Sequence, residues 1–343
     1  MTILTTIIII AVLILFHEWG HFVTARKIGI PVYEFSIGFG YKLFSKNVNG
    51  VDYSLRIIPL GGFVRMAGEE PGDHEDPNGF SKRTPFEKMA VAFAGPFMNF
   101  ILALFIFIYS YSFIGIPSAL DEPVIGQAIK GKPAVETGLQ AGDRVLSVNQ
   151  QQVETWTEFT AVLADNPEGK VLDIKVERND QIIDFAVVPE ENPGTGNYEI
   201  GVLSKIAYDK QGILESIKIG FQQTYELTLL LLSGLWLLVS GGASAADLAG
   251  PVGITQLVGE AAQVGTVFLL NFTAFLSINL GVLNLLPIPA LDGSRIVLAG
   301  VEAVRRKPLE PEKEGFIHFL GFIFLILLII IVTYNDIVRL IKG

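Results

Sequence analysis

Apolar residues in this chain are gathered into long runs rather than spread at a helical or strand period. Five runs approach the roughly 20 residues that a helix needs to cross a hydrocarbon core of about 30 Å. They cover about Ile3 to Ala25, about Met89 to Ile116, Leu227 to Val239, about Val264 to Leu286, and Phe316 to Tyr334. The first does not read as a cleaved leader. No Lys or Arg precedes its apolar run, Arg26 and Lys27 follow it, and it contains His17, Glu18 and His21. Basic residues set the orientation. Arg26, Lys27, Lys42, Lys46, Arg56, Arg65, Lys82, Arg83 and Lys88 follow the first run, and Arg295, Arg305, Arg306, Lys307 and Lys313 lie between the fourth and fifth. Both connections are therefore predicted to be cytoplasmic, with both termini outside. Parity then decides the third run, because a crossing there would carry Arg295 to the wrong side. At about 13 residues it is also short for a span. The region 211–263 is expected to lie along the interface or against the bundle, which leaves four transmembrane helices, two in residues 1–116 and two in 264–343.

Between the second and third runs the pattern changes. Over 117–210 charges return, and Val124–Ile129, Arg144–Val148, Val171–Glu177 and Ile182–Val188 alternate as strands, with Asn179-Asp180 as a hairpin turn. Thr155–Ala164 reads as a helix ended by Asn166-Pro167. This predicts an inserted extracytoplasmic α+β domain. Gly138-Leu139-Gln140-Ala141-Gly142-Asp143, followed by Arg144–Asn149, resembles the binding-loop-to-strand segment of a PDZ domain. Such domains take extended peptides by strand addition, so Gly138, Leu139 and Gly142 are expected in the peptide loop. Earlier in the chain, Tyr33–Met66 alternates around Asn49-Gly50, a strong hairpin signal.

Composition narrows the chemistry. Of 343 residues 50% are hydrophobic and 17% charged, which excludes disorder. The net charge is −10 and no basic-aromatic patch occurs, so nucleic acid is not an expected partner. There is no cysteine, which removes disulfides, thiol nucleophiles and thiolate metal sites. A metal would have to take nitrogen and oxygen.

His17-Glu18-Trp19-Gly20-His21 supplies candidates. Positions four apart on a helix share a face about 6 Å apart, so two imidazoles can converge on one metal, with Glu18 placed to act on a bound water. The chain has only four histidines, His17, His21, His74 and His318. Ionisable groups inside a span are expensive and functional by default. At roughly 15 residues into the first span, the motif lies about 23 Å deep at 1.5 Å per residue, nearer the cytoplasmic face. A catalytic zinc usually takes three protein ligands and water; on side and depth both His318 and Asp292 are open as the third. The acidic run Glu69–Asp76 reads as a solvated loop.

HEWGH in the first span, Gly95-Pro96-Phe97-Met98-Asn99 in the second, the PDZ-like insert, and Asn284-Leu285-Leu286-Pro287-Ile288-Pro289-Ala290-Leu291-Asp292-Gly293 occur in this order. Together they resemble the site-2 protease family of intramembrane zinc metalloproteases, closest to the bacterial regulator-of-sigma-E type. The resemblance implies one Zn2+ per chain held by His17, His21 and Asp292, with Glu18 activating water. It implies that Asn284 helps hold the substrate backbone, with Pro287, Gly38, Gly40 and Asn99 as further substrate-binding positions, and that the hairpin enters the membrane to pair with extended substrate. The implied substrates are single-span membrane proteins in the bacterial inner membrane, either pre-trimmed anti-sigma factors or remnant signal peptides, cleaved in regulated intramembrane proteolysis. The sigma-E type carries two PDZ domains, whereas the space here admits one. Gly250-Pro251-Val252-Gly253-Ile254 matches another family block, for which the sequence suggests no mechanism. The competing readings are a non-catalytic PDZ-bearing membrane adaptor and a transporter, and the internal repeats usual in transporters are not found.

Overall fold

The computed structural model describes residues 1–69, 76–166, 169–191, 198–242, 249–307 and 311–342. The chain divides into two compact units, Met1–Phe113 with Gly212–Gly343, and Ile114–Gln211. His74 and most of the acidic run lie outside the described residues.

The first unit opens with α1 (Thr2–Ile28), closed by Gly29 in the left-handed region with Arg26 and Lys27 in the last turn. β1 (Val32–Val48) and β2 (Val51–Met66) follow. Asn49 and Gly50 both have positive φ (51° and 82°), as a two-residue hairpin turn requires. The strands are bent enough to pair twice. Glu34, Phe35, Ser36 and Ile37 pair with Asp52–Leu55 on one side and with Gly62–Arg65 on the other. The hairpin is thus a small curled sheet, and Gly62–Arg65 forms one of its edges. Buried Glu34 anchors it, accepting from Ser54 Oγ at 2.6 Å and Arg56 Nη2 at 2.8 Å, with Lys42 Nζ at 3.1 Å. α2 (Pro85–Tyr109) starts earlier than its apolar run because Thr84 and Glu87 form a capping box with Pro85 in the first turn.

The second unit holds β3 (Ile116–Ala119), β4 (Ile125–Ala128), α3 (Pro133–Thr137), β5 (Arg144–Val148), β6 (Gln151–Gln152) and α4 (Trp156–Ala164). It continues with β7 (Leu172–Arg178), β8 (Gln181–Val187), β9 (Glu190–Glu191), β10 (Tyr198–Glu199), β11 (Val202–Ser204) and β12 (Ile206–Asp209). β6-β5-β7-β8 form one sheet, and β11 pairs with β4. Thr155 caps α4, and Asn179-Asp180 turns β7 into β8 with both φ positive. Pro167, expected to end the helix, lies outside the described residues. Ile125, Leu139, Val145, Phe159, Leu172 and Ile174 make a core of the unit's own.

The first unit resumes with α5 (Ile213–Ser240), α6 (Pro251–Val264), α7 (Thr266–Asn284), α8 (Asp292–Arg305) and α9 (Pro311–Lys342). α5 corrects an expectation. It runs for 28 residues, because polar but helix-favouring residues such as Gln222, Gln223 and Glu226 extend the apolar run toward its N-terminus. Length therefore does not exclude a crossing, and among the described residues five helices are long and apolar enough to span a membrane.

Packing fixes relative directions within this unit. Gly259 of α6 lies against Thr2, at the start of α1. Asp336 of α9 accepts the backbone N–H groups of Gly250 and Gly253, at 3.2 and 2.8 Å, at the N-terminus of α6. A Cβ on Gly250 would lie 2.7 Å from that carboxylate, so the Gly-Pro-Val-Gly block is a seat for Asp336. At the other end, His17 and His21 of α1 meet Asp292, just beyond α7, and Ala290 meets His318 of α9. α1 and α7 hence run in the same direction and α9 runs opposite.

Candidate metal centre

His17 and His21 lie one turn apart on the buried face of α1, their ring centroids 4.8 Å apart. α2 crosses them at Gly95, where a Cβ would lie 2.3 Å from His21 Nε2 and 2.9 Å from His17 Cε1. Only a residue without a side chain lets the helix pass. Val91 of α2 accepts from His21 Nδ1 at 2.8 Å, which puts the proton on Nδ1 and leaves the Nε2 lone pair facing inward. His17 Nδ1 lies 3.1 Å from the amide of Asn99.

Asp292 arrives by a different route. Pro287 and Pro289 cannot continue α7 as a regular helix, and Ala290 adopts a left-handed conformation (φ 76°) that redirects the chain. The N–H of Ala290 donates to His318 Nδ1 at 3.1 Å. His318 therefore supports the loop, and the donor cluster among the described residues is His17, His21 and Asp292. Within that cluster the Asp292 carboxylate is the one oxygen donor that faces the two imidazoles.

The three donor atoms form a nearly equilateral triangle. His17 Nε2 and His21 Nε2 are 3.2 Å apart, and Asp292 Oδ2 lies 3.1 Å from the first and 3.3 Å from the second. A tetrahedral zinc with nitrogen and oxygen ligands at about 2.0–2.1 Å sets its donors roughly 3.3 Å apart. The donor set fits zinc and leaves a fourth position open.

A cavity of about 260 Å³ adjoins this triangle, lined also by Glu18, Asn284, Phe63 and Val64. The hairpin edge passes directly over Glu18, since a Cβ on Gly62 would lie 3.2 Å from its Cγ. Arg295 and Glu69 complete the wall as an ion pair of 2.5 Å, with the guanidinium 5.9 Å from the Phe80 ring centroid. Neither stands out as a site residue in the sequence. The available signal was that Arg295 lies one helical turn beyond Asp292 on α8.

Other expected site residues fall elsewhere. Asn99 is fully buried against His17 and does not line the cavity. Gly38 and Gly40, both of positive φ, shape the bend of β1, and Pro287 is exposed; none of the three lines the cavity. In the second unit Gly138, Leu139 and Gly142 form a closed loop. Their N–H groups donate to Val135, Ala134 and Ile125, Gln140 N–H donates to Asp143, and Leu139 is 2% exposed. Arg178 grips Asp143 in two bonds of 2.6 and 2.7 Å. The N–H groups of Gly138, Leu139, Gln140 and Gly142 are thus bonded within the unit.

Similarity to known proteins agrees with the donor chemistry. A profile of peptidase family M50 matches residues 5–328. The zinc metalloprotease RasP of Oceanobacillus iheyensis is 34% identical, covering 99% of each chain, and the regulator of sigma-W protease RasP of Bacillus subtilis is 35% identical with the same coverage. A relative in Clostridium acetobutylicum is 36% identical over 336 residues, 98% of this chain and 97% of the relative. The RasP alignments run to 423 and 420 positions, longer than this chain, so those relatives carry residues that it lacks. A family profile spanning nearly the whole chain, together with long apolar helices and a donor set suited to zinc, identifies an integral membrane protein of peptidase family M50, a site-2-type zinc metalloprotease.

Proposed function

We propose that the chain hydrolyses peptide bonds within the membrane-spanning segments of single-span membrane proteins, either pre-trimmed anti-sigma factors or remnant signal peptides. Zinc is held by His17, His21 and Asp292, and Glu18 is the general base. The observation that carries this reading is the donor triangle beside Glu18 under a strand edge.

Zinc bound there supplies a Lewis acid for the scissile carbonyl and lowers the pKa of a bound water. Glu18 takes a proton from the attacking water onto a carboxylate oxygen and passes it to the leaving amine nitrogen. A substrate helix must unwind to be cut, and each backbone group it frees costs several kcal/mol in lipid if unpaired. Gly62–Arg65 lie beside the cavity and can pair with the unwound strand, and Asn284, on the cavity wall, can pair with its amides. The exposed Phe39, Tyr41, Phe44 and Ile57 of the hairpin suit lipid contact.

We place the protein in the bacterial inner membrane with four crossings, both termini and the second unit extracytoplasmic, and α5 against the bundle without crossing. The parallel course of α1 and α7 supports this. A full crossing by α5 would have to be reversed between Ser240 and Gly250, which could recross a core of about 30 Å only as nearly fully extended chain with its backbone groups unpaired in lipid. We read the second unit as a PDZ-like domain that takes substrate by strand addition. β11, paired only with β4 among the described strands, suits this better than the Gly138 loop.

Glu18→Gln tests the central claim. Zinc content should stay at one per chain while cleavage of a model single-span substrate falls by about 10²–10⁴. An active Glu18→Gln protein would remove the general-base role.

A further inference from the structure

The side chain of Asn99 poses an accounting problem. It is fully buried, its Nδ2 lies 3.1 Å from His17 Nδ1, and its Oδ1 has no hydrogen-bond partner among the described residues. An imidazole that binds a metal through Nε2 is neutral and carries its proton on Nδ1. In that state an N–H would face an NH2 group, donor against donor, while an acceptor a short distance away went unused. Rotating the amide by half a turn about its last bond resolves both faults, because amide O and N occupy nearly the same positions.

We infer that Asn99 is a positioning residue for the metal centre, its Oδ1 accepting from His17 Nδ1–H and so fixing the tautomer and ring plane of that ligand. The inference rests on the zinc site proposed above. It gives His17 what the Val91 carbonyl gives His21, an acceptor on the far side of the ring from the donor triangle. Both acceptors come from α2, two turns apart, with Gly95 between them making room for the rings. Asn99 is itself held, since Ser277 Oγ of α7 donates to its backbone carbonyl at 2.8 Å. The segment Gly95-Pro96-Phe97-Met98-Asn99 thus works as one device, with space at its first residue and an acceptor at its last.

Acceptors behind metal-bound histidines typically contribute 10–100-fold in metal affinity. The zinc dissociation constant of the full chain, purified in detergent, is measured by competition with a chelator for the parent, Asn99→Leu and Asn99→Asp. Helicity and unfolding midpoints are recorded beside it. Asn99→Leu keeps the γ-branched shape and loses the acceptor, so zinc should bind about 10–100-fold more weakly. Asn99→Asp restores an acceptor and should recover most of the affinity. An unchanged constant in folded Asn99→Leu overturns the inference. So does a loss that Asn99→Asp does not recover, since packing rather than the acceptor would then be responsible. A parent chain without stoichiometric zinc would sink the metal-site reading and this one together, whereas a zinc-bound parent with an indifferent Asn99→Leu sinks this one alone.

Discussion

At the scale of single residues, the centre depends as much on what is absent as on what binds. Alanine is a better helix former than glycine by roughly 0.5–1 kcal/mol, so Gly95→Ala in an ordinary helix would stabilise. Here the new methyl would fall 2.3 Å from His21 Nε2. We expect zinc content well below one per chain, with α-helical content kept; a Gly95→Ala protein holding a full zinc would contradict the packing. The convergence of His17 and His21 was legible in the sequence because helical spacing alone puts residues four apart on one face. Asn99 was not legible as their neighbour, being 82 positions from His17 on another helix. Nor was the choice between His318 and Asp292, which turns on a left-handed backbone at Ala290 that no propensity for alanine foretells.

At the scale of elements, two buried carboxylates hold pieces together and can be tested separately. Burial opposes ionisation of Glu34, yet the Ser54 hydroxyl, Arg56 and Lys42 hold it down to about 2, against an ordinary 4.5. Because the folded value is depressed, its contribution to the hairpin is complete above about 4.5 and is lost as pH falls toward 2. Hydrogen-exchange protection of the hairpin amides, corrected for intrinsic rates, should decline over that window, and the decline should vanish in Glu34→Gln. Asp336 accepts two backbone N–H groups of α6, so Asp336→Ala leaves both without that partner, at a cost of about 1–3 kcal/mol. The unfolding midpoint should fall while zinc content stays at the parent level, because the metal centre lies at the opposite ends of the helices. Apolar runs marked where helices lie but not where they end. α2 begins at its capping box and α5 continues through glutamines, since caps and helix propensity, unlike hydropathy, set those limits.

At the scale of the whole molecule, the chain without cysteine offers a clean test of topology. Single cysteines at Thr2, Asp180 and Leu340 should react with a membrane-impermeant maleimide on intact cells, and one at Lys307 should not. A cysteine at Ser240 decides α5. Labelling from outside agrees with four crossings, and protection with labelling only after lysis gives five. Basic residues and parity made the orientation arguable from sequence, whereas the curled hairpin with its doubly paired Glu34–Ile37 was not, because bulges leave no regular signature. The donor triangle also has a history along the chain. Its histidines are synthesised well before Asp292, which follows His21 by about 270 positions. At about 5–20 residues per second, a ribosome needs on the order of 15–50 s to supply the missing corner. During that interval the nascent chain carries Glu18 and both imidazoles, but on the proposed ligand set it lacks the third donor. Its hydrolytic power is delayed until most of its helices have been made.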